Sequence, residues 1–258
     1  MNNKKHFLSL FALLIFSILF YSSATSKKLT PLIVPDFSFS PPSTAAPGSA
    51  GLKIALISPY YSGNFLYSTQ SPFNNFRISL GRDLEQILTA KGYTIKGPYD
   101  EYDIMTYSDK EECELGLFSD IDLQINQTSG GWDNITALGY PTINYRFRGT
   151  ITISGKVTFY ISETYTRQKL IVKSLSIPQQ INIQVESEKV YAGSQSIAIA
   201  PTGIPIEDAG IHNPIAISLV DFYKSTMKRT WDLLPKEDLL RVKDQVPQIR
   251  KEAGFIKR

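Results

Sequence analysis

The sequence is poor in cysteine, histidine and net charge. It holds 1 Cys, 2 His, 27 basic and 24 acidic side chains in 258 residues. A lone Cys113 cannot form an internal disulfide, and so few soft ligands exclude most zinc, haem and iron–sulfur sites. A formal charge of +3 is far from the basic surplus of a nucleic-acid binder, so nucleic acid is not an expected partner. There is no Gly-x-Ser-x-Gly elbow, no Walker lysine loop and no Gly-x-Gly-x-x-Gly turn. No apolar run reaches the ~20 residues that cross a bilayer as a helix. What remains is 42% hydrophobic and 20% charged residues, enough to bury a core.

The N-terminus reads as an address. Lys4, Lys5 and His6 precede an apolar run from Phe7 to Phe20, followed by Tyr21-Ser22-Ser23-Ala24. A short positive region, an apolar region and small residues at −3 and −1 make a secretory signal peptide over 1–24, cut after Ala24. Cleavage removes two lysines, so the exported chain carries a formal +1 and one histidine, His212. No Cys lies near the cut to accept a lipid, and no transmembrane segment follows it. Export without disulfides fits a bacterial periplasm.

Residues 25–50 contain Pro31, Pro35, Pro41, Pro42 and Pro47 among Ser, Thr and Ala. Such a stretch is an extended tail or linker, with a reach of roughly 80 Å. Its apolar insertions, Leu32-Ile33-Val34 and Phe37-Ser38-Phe39, fit docking on a partner or on the chain's own surface. Disorder is the alternative.

From 51 to 258 the pattern is that of one α+β domain. Lys53–Ser58 is a short apolar strand. Phe76, Leu80, Leu84, Ile87 and Leu88 recur at helical spacing up to Lys91-Gly92, a glycine stop. Tyr93-Thr94-Ile95 returns as a strand, which favours parallel pairing through a crossover helix. Leu115 to Ile125 and Ile143 to Ile161 alternate apolar and polar residues, the mark of strands with one wet face. A strand as long as the second is unusual, so Gly149 or Gly155 is expected to mark a bulge, bend or turn. Lys169–Ile177 and Ile181–Val185 add strands. Helices follow. Pro214 suits a first turn, with Ile215, Leu219, Tyr223, Met227 and Trp231 behind it. Lys236–Leu240 starts a shorter helix that Pro247 ends. The expected architecture is an antiparallel or mixed sheet, one early crossover helix and C-terminal helices packed on it.

Catalytic chemistry is hard to place. His212 precedes Asn213-Pro214 and fits a cap or loop better than a base. Cys113 follows Glu111-Glu112, whose charge opposes thiolate formation. Asp120 and Asp122 share one face of a strand, where a cation site or acid–base pair competes with a plain solvent face. The carboxylates from Asp100 to Glu114 fit a solvated acidic loop. The reading is non-enzymatic, with no catalytic residue, cofactor or metal.

Aromatics are in excess. Tyr60, Tyr61, Phe65, Tyr67 and Phe73 stand among Ser, Asn and Gly, and Trp132 follows Thr128-Ser129-Gly130-Gly131 in a glycine-rich connection. Such residues bury large area at low entropy cost. With Phe37 and Phe39 of the tail they are the candidates for a partner or ligand interface. The competing reading packs several of them into the core.

Lys53-Ile54-Ala55-Leu56-Ile57-Ser58-Pro59, then Leu84-Glu85-Gln86-Ile87-Leu88 leading to Lys91-Gly92-Tyr93, resembles the neuraminyllactose-binding haemagglutinin family. The resemblance covers about residues 52–126 and 155–251. It implies an outer-membrane-associated α+β domain and sialylated-glycan binding. That family carries a lipidated N-terminal Cys, which this chain lacks, and no binding residue carries over. The overall layout is similar to outer-membrane core-complex components of Dot/Icm-type (type IVB) secretion systems. The leading expectation is a structural subunit of an envelope-spanning complex, with other envelope or secretion proteins as partners. It would sit in the periplasm, held at the outer membrane through them. A glycan-binding adhesin is the alternative.

Overall fold

Alternation within β1 (Lys53–Ile57) turns Ile54 and Leu56 to one side of a sheet and Ala55 and Ile57 to the other. The computed structural model describes residues 30–136, 142–177, 181–192 and 202–255. The signal peptide expected over 1–24 lies outside them. The chain divides after Pro31, and the unit Leu32–Arg258 holds every element below.

After β1, a two-residue strand β2 (Tyr60–Tyr61) leads to helix α1 (Phe73–Ala90). The helix starts at Phe73, three residues before the expected Phe76, so Phe73 joins its buried stripe of Phe76, Leu80, Leu84, Ile87 and Leu88. Gly92, at φ 82°, closes it and donates its N–H to Thr89 O. Strand β3 (Thr94–Tyr99) then pairs parallel to β1, as expected of the crossover.

The acidic segment after β3 is not a solvated loop. A 3-10 turn (Tyr102–Ile104) and helix α2 (Tyr107–Glu112) cover the second face of the sheet. Thr106 and Asp109 cap α2 reciprocally. Beneath them Tyr102, Met105 and Cys113 pack with Ala55, Ile57 and Phe118. Most of the carboxylates face out, as do Ile104 and Tyr107, while Tyr102, Met105 and Cys113 turn in.

Strands β4 (Leu115–Asn134) and β5 (Thr142–Glu163) form one long antiparallel hairpin. Neither Gly149 nor Gly155 is a turn, because β5 runs unbroken through both. The irregularity lies in β4, between Gln127 and Ser129. There Gly130 adopts φ 76° and its Cα faces the Arg148 carbonyl too closely for a side chain. The glycine-rich connection expected near Trp132 is therefore strand. Strands β6 (Lys169–Ser176) and β7 (Ile181–Ala192) pair with the C-terminal and N-terminal halves of β5 respectively. Among the described residues the sheet is mixed and has seven strands, in the order β3-β1-β4-β5-β6, with β2 beside β4 and β7 beside β5.

Helix α3 (Ala209–Leu233) covers the same face as α1. It begins five residues before Pro214, which therefore lies inside the helix. Helices α4 (Lys236–Lys243) and α5 (Val246–Glu252) complete the fold. Pro247 opens α5 rather than ending α4, since a first-turn residue has no helical N–H bond to lose.

The proline-rich stretch is, from Leu32 on, a strap on this domain. Phe37 sits between Phe76 and Tyr223, with ring centroids at 5.5 and 5.2 Å. Arg82 Nη2 donates to Phe37 O at 2.7 Å. Ala45 N–H reaches Ala90 O at 2.7 Å, and Ala50 N–H reaches Gly92 O at 2.9 Å. Proline cannot supply ladder donors, so the strap is held by side chains and scattered backbone bonds.

Candidate functional site

On the outer side of β4, hydrogen-bonding partners run out part-way along the strand. β1 pairs with Leu115–Leu117 and β2 with Asp120–Ile121, both parallel. The chain then leaves: Ser62 N–H donates to Ile121 O at 2.9 Å, and Gly63 turns away at φ 67°. Among the described residues no strand pairs with this side of β4 from Leu123 onward. Backbone direction alternates along a strand. Ile121 O points outward, so the N–H and C=O groups of Leu123, Ile125 and Gln127 point outward too.

The departing loop forms the facing wall of a hollow of about 360 Å³, lined by residues 62–67 and 122–126. Its aromatics are locked in place. Phe65 stacks on Tyr61 at 4.9 Å and meets Phe73 edge-on at 5.1 Å. Tyr61 Oη donates to Phe73 O at 2.9 Å, and burial pushes its phenol well above the usual range. Leu66 is left 80% exposed at the rim. Leu123 and Ile125 face the helix layer, together with Phe65 and Tyr67. Alternation puts Asp122, Gln124 and Asn126 on the opposite face.

The eight aromatic candidates do not converge on one surface. Phe37 and Phe73 are core residues and inaccessible to a partner. Phe39 is half-buried in the strap. Tyr60 alternates with Tyr61 and so lies on the sheet's other face, where its hydroxyl meets Tyr160 Oη at 3.0 Å. Tyr61, Phe65 and Tyr67 line or support the hollow. Trp132 sits ten residues further along β4 than Asp122, roughly 30 Å away. It packs on Phe147 and donates Nε1–H to Gly203 O at 3.0 Å.

No family model matches the chain, and no curated protein matches it. Among solved structures, the fold is similar to that of a Helicobacter pylori protein described as a neuraminyllactose-binding hemagglutinin homolog. The TM-score is 0.55 at 14% identity, covering 82% of this chain and 97% of that one. The α+β arrangement is thus shared, and at this identity the likeness concerns the fold alone. A PelC dodecamer from Paraburkholderia phytofirmans also matches, with TM-score 0.25 and 15% identity over 54% of this chain and 76% of that one. So does a Neisseria meningitidis lipoprotein, with TM-score 0.25 and 11% identity over 66% and 96%. Neither score bears on the fold.

His212 and Cys113 both lie away from the hollow. His212 is buried in the first turn of α3, with Nε2 3.0 Å from Ser71 Oγ and Nδ1 3.2 Å from Asn213 Oδ1. Asn213 Oδ1 also accepts from Ile33 N–H at 2.8 Å. This serine–histidine pair fastens the loop before α1, and the strap, to α3. Asp120 and Asp122 lie on the polar face of β4, opposite Thr158 and Lys156. Cys113 is fully buried, and burial above all pushes its thiol up to about 11. Thiolate is the reactive form. We therefore expect Cys113 to stay unlabelled by iodoacetamide in the native chain at ~pH 8 and to react once urea unfolds it. Intact-mass spectrometry reads this, and rapid labelling without urea would contradict the packing.

Sequence reasoning placed the aromatic loop and missed what it flanks. A strand edge is a property of backbone groups, which no side-chain motif reports. The available signal was Ser62-Gly63-Asn64, a turn dividing the aromatics into a strand pair and a loop.

Proposed function

We propose that the chain is an exported, non-enzymatic bacterial envelope protein that works by binding other proteins. In this reading it is a structural subunit of an envelope-spanning assembly, such as the outer-membrane core complex of a type IV secretion system. The observation that carries it is the open edge of β4 beside a preformed aromatic loop, a surface suited to holding a neighbour. The signal-like N-terminus supports an envelope location, and the fold shared with a neuraminyllactose-binding hemagglutinin homolog is consistent with it. Among the described residues no helix is long and apolar enough to cross a membrane. The protein is then retained at the periplasmic side of the outer membrane through its partners.

The test is affinity capture through a C-terminal tag from detergent-solubilised envelopes, with mass spectrometry. Recovery of other envelope or secretion proteins in fixed ratio is expected. Recovery of the chain alone, as a monomer, would overturn the subunit reading.

A second reading, a glycan-binding adhesin, is favoured by the fold shared with the haemagglutinin homolog and by Tyr60, 44% exposed on the polar face. It expects sialylated-glycan binding by the purified chain, lost in Tyr60→Ala. A silent glycan array removes it.

A further inference from the structure

We propose that the edge of β4 from Leu123 to Gln127 receives an extended segment of a partner protein as an added strand. The segment would carry apolar and polar or basic residues in alternation. The inference rests on the reading that the chain binds proteins, and it names how.

The backbone argument comes first. The outward N–H and C=O groups of Leu123, Ile125 and Gln127 form a row that no strand among the described residues pairs, and an added strand would satisfy it. The same edge already accepts added strands: β1 and β2 pair along it up to Ile121. An incoming segment would continue where β2 stops.

The walls then set what fits. The hollow lies between the edge and the loop 62–67. The loop is held by the Phe65 ring, stacked on Tyr61 and edge-on to Phe73, and by the Tyr61–Phe73 hydrogen bond, so binding need not order it. A second copy of this chain would have to bring its own 62–67 loop alongside the edge it offers, because that loop lines the same hollow. A single slim segment brings no second loop. A sugar would need exposed ring faces, but Phe65 is engaged by Tyr61 and Phe73. The most exposed wall residue, Leu66, is aliphatic.

Side-chain alternation supplies the pattern. Every second residue of an added strand would meet the apolar side, beside Leu123, Ile125, Phe65 and Tyr67. The residues between would meet Asp122, Gln124 and Asn126. Asp122 is the one charged group lining the hollow among the described residues. It therefore favours Lys or Arg on the polar side and disfavours Glu.

The test uses the chain purified from envelopes and a fluorescein-labelled octapeptide of alternating Val and Lys, read by fluorescence anisotropy. Binding is expected, weakened about tenfold or more when alternate peptide nitrogens are methylated, since that removes backbone bonds and keeps the side chains. A Val–Glu octapeptide should bind more weakly, and Asp122→Lys should reverse that order. Circular dichroism confirms that the variant is folded. Equal binding of the methylated peptide would overturn the strand-addition mode. So would absence of binding by any peptide at millimolar concentration. Displacement of a pre-existing dimer of the chain by Leu66→Arg, with no peptide binding, would assign the edge to a second copy and overturn the choice of occupant. Any of these failures with partners still recovered from envelopes would leave the subunit reading standing and remove only the edge as its means.

Discussion

Replacing Phe37 by Ala lowers the stability of the whole domain by about 3–5 kcal/mol, the usual cost of deleting a buried aromatic ring. Replacing Val34, 84% exposed three residues earlier, by Ser should change it by no more than about 0.5 kcal/mol. The contrast follows from where the strap is pinned. The Phe37 ring fills the gap between Phe76 on α1 and Tyr223 on α3. Its carbonyl takes the Arg82 guanidinium, whose Nε also holds Asp83 Oδ1 at 2.8 Å. Asp83 is buried and accepts the Tyr223 hydroxyl at 2.6 Å. Removing the ring therefore opens a cavity beside a buried polar group whose partners depend on the same packing. Urea unfolding of the two variants gives the comparison directly. A Phe37→Ala variant as stable as the parent would mean that the strap is not part of the core. The point matters for function. Deleting residues 27–50 to test recruitment would remove Phe37 and unfold the reporter, so loss of partners would say nothing about the tail. Changes confined to Leu32, Ile33 and Val34 leave the ring in place.

The strap shows why some of this molecule was legible in the sequence and some was not. Side-chain periodicity reports which face of an element is buried. It placed β1, α1 and the alternation of β4 and β5 with little error, and the mixed α+β class followed. It does not report what an irregular segment packs against. Phe37-Ser38-Phe39 alternates like a docking motif, and only the gap between Phe76 and Tyr223 shows that the dock is intramolecular. Prolines misled in a related way. Pro214 and Pro247 are both compatible with a first turn, yet Pro214 sits inside α3 and Pro247 opens α5. Strands as long as the 22 residues of β5 are rare. Glycines at its crossing with β4 permit it by letting the two backbones approach where side chains would collide. For the candidate site, the aromatics of the 60–73 segment were visible, but their division between two faces and the core was not. The open edge of β4 was invisible because unpaired backbone groups leave no mark on residue identity.

Arg250→Met should cost about 3–5 kcal/mol, because it leaves a carboxylate buried without its cation. Glu163 is fully buried at the end of β5, and its Oε1 accepts Arg250 Nε at 2.7 Å. Its Oε2 accepts the N–H groups of Tyr165 and Thr166 at 2.9 and 2.7 Å, closing the turn into β6. Arg250 Nη2 reaches further, to Lys110 O and Thr164 Oγ1, both at 3.1 Å. Its guanidinium also lies over the Tyr165 ring at 4.5 Å. One side chain from α5 thus ties the β5–β6 turn to α2, the cover of the sheet's second face. The charge argument separates from simple loss of packing through a second variant. In Glu163→Gln/Arg250→Met no carboxylate is stranded, and the glutamine carbonyl oxygen can still accept from the turn. The double variant should therefore recover part of the loss, by roughly 1–3 kcal/mol, although it carries one substitution more. Equal destabilisation of single and double variants in urea titrations would show that packing, not the stranded charge, sets the cost. A larger loss in Arg250→Met should also expose Cys113, whose carbonyl accepts the Thr164 hydroxyl at 2.6 Å beneath α2. Iodoacetamide labelling of that variant would then begin at lower urea than in the parent, so thiol protection and global stability would fall together.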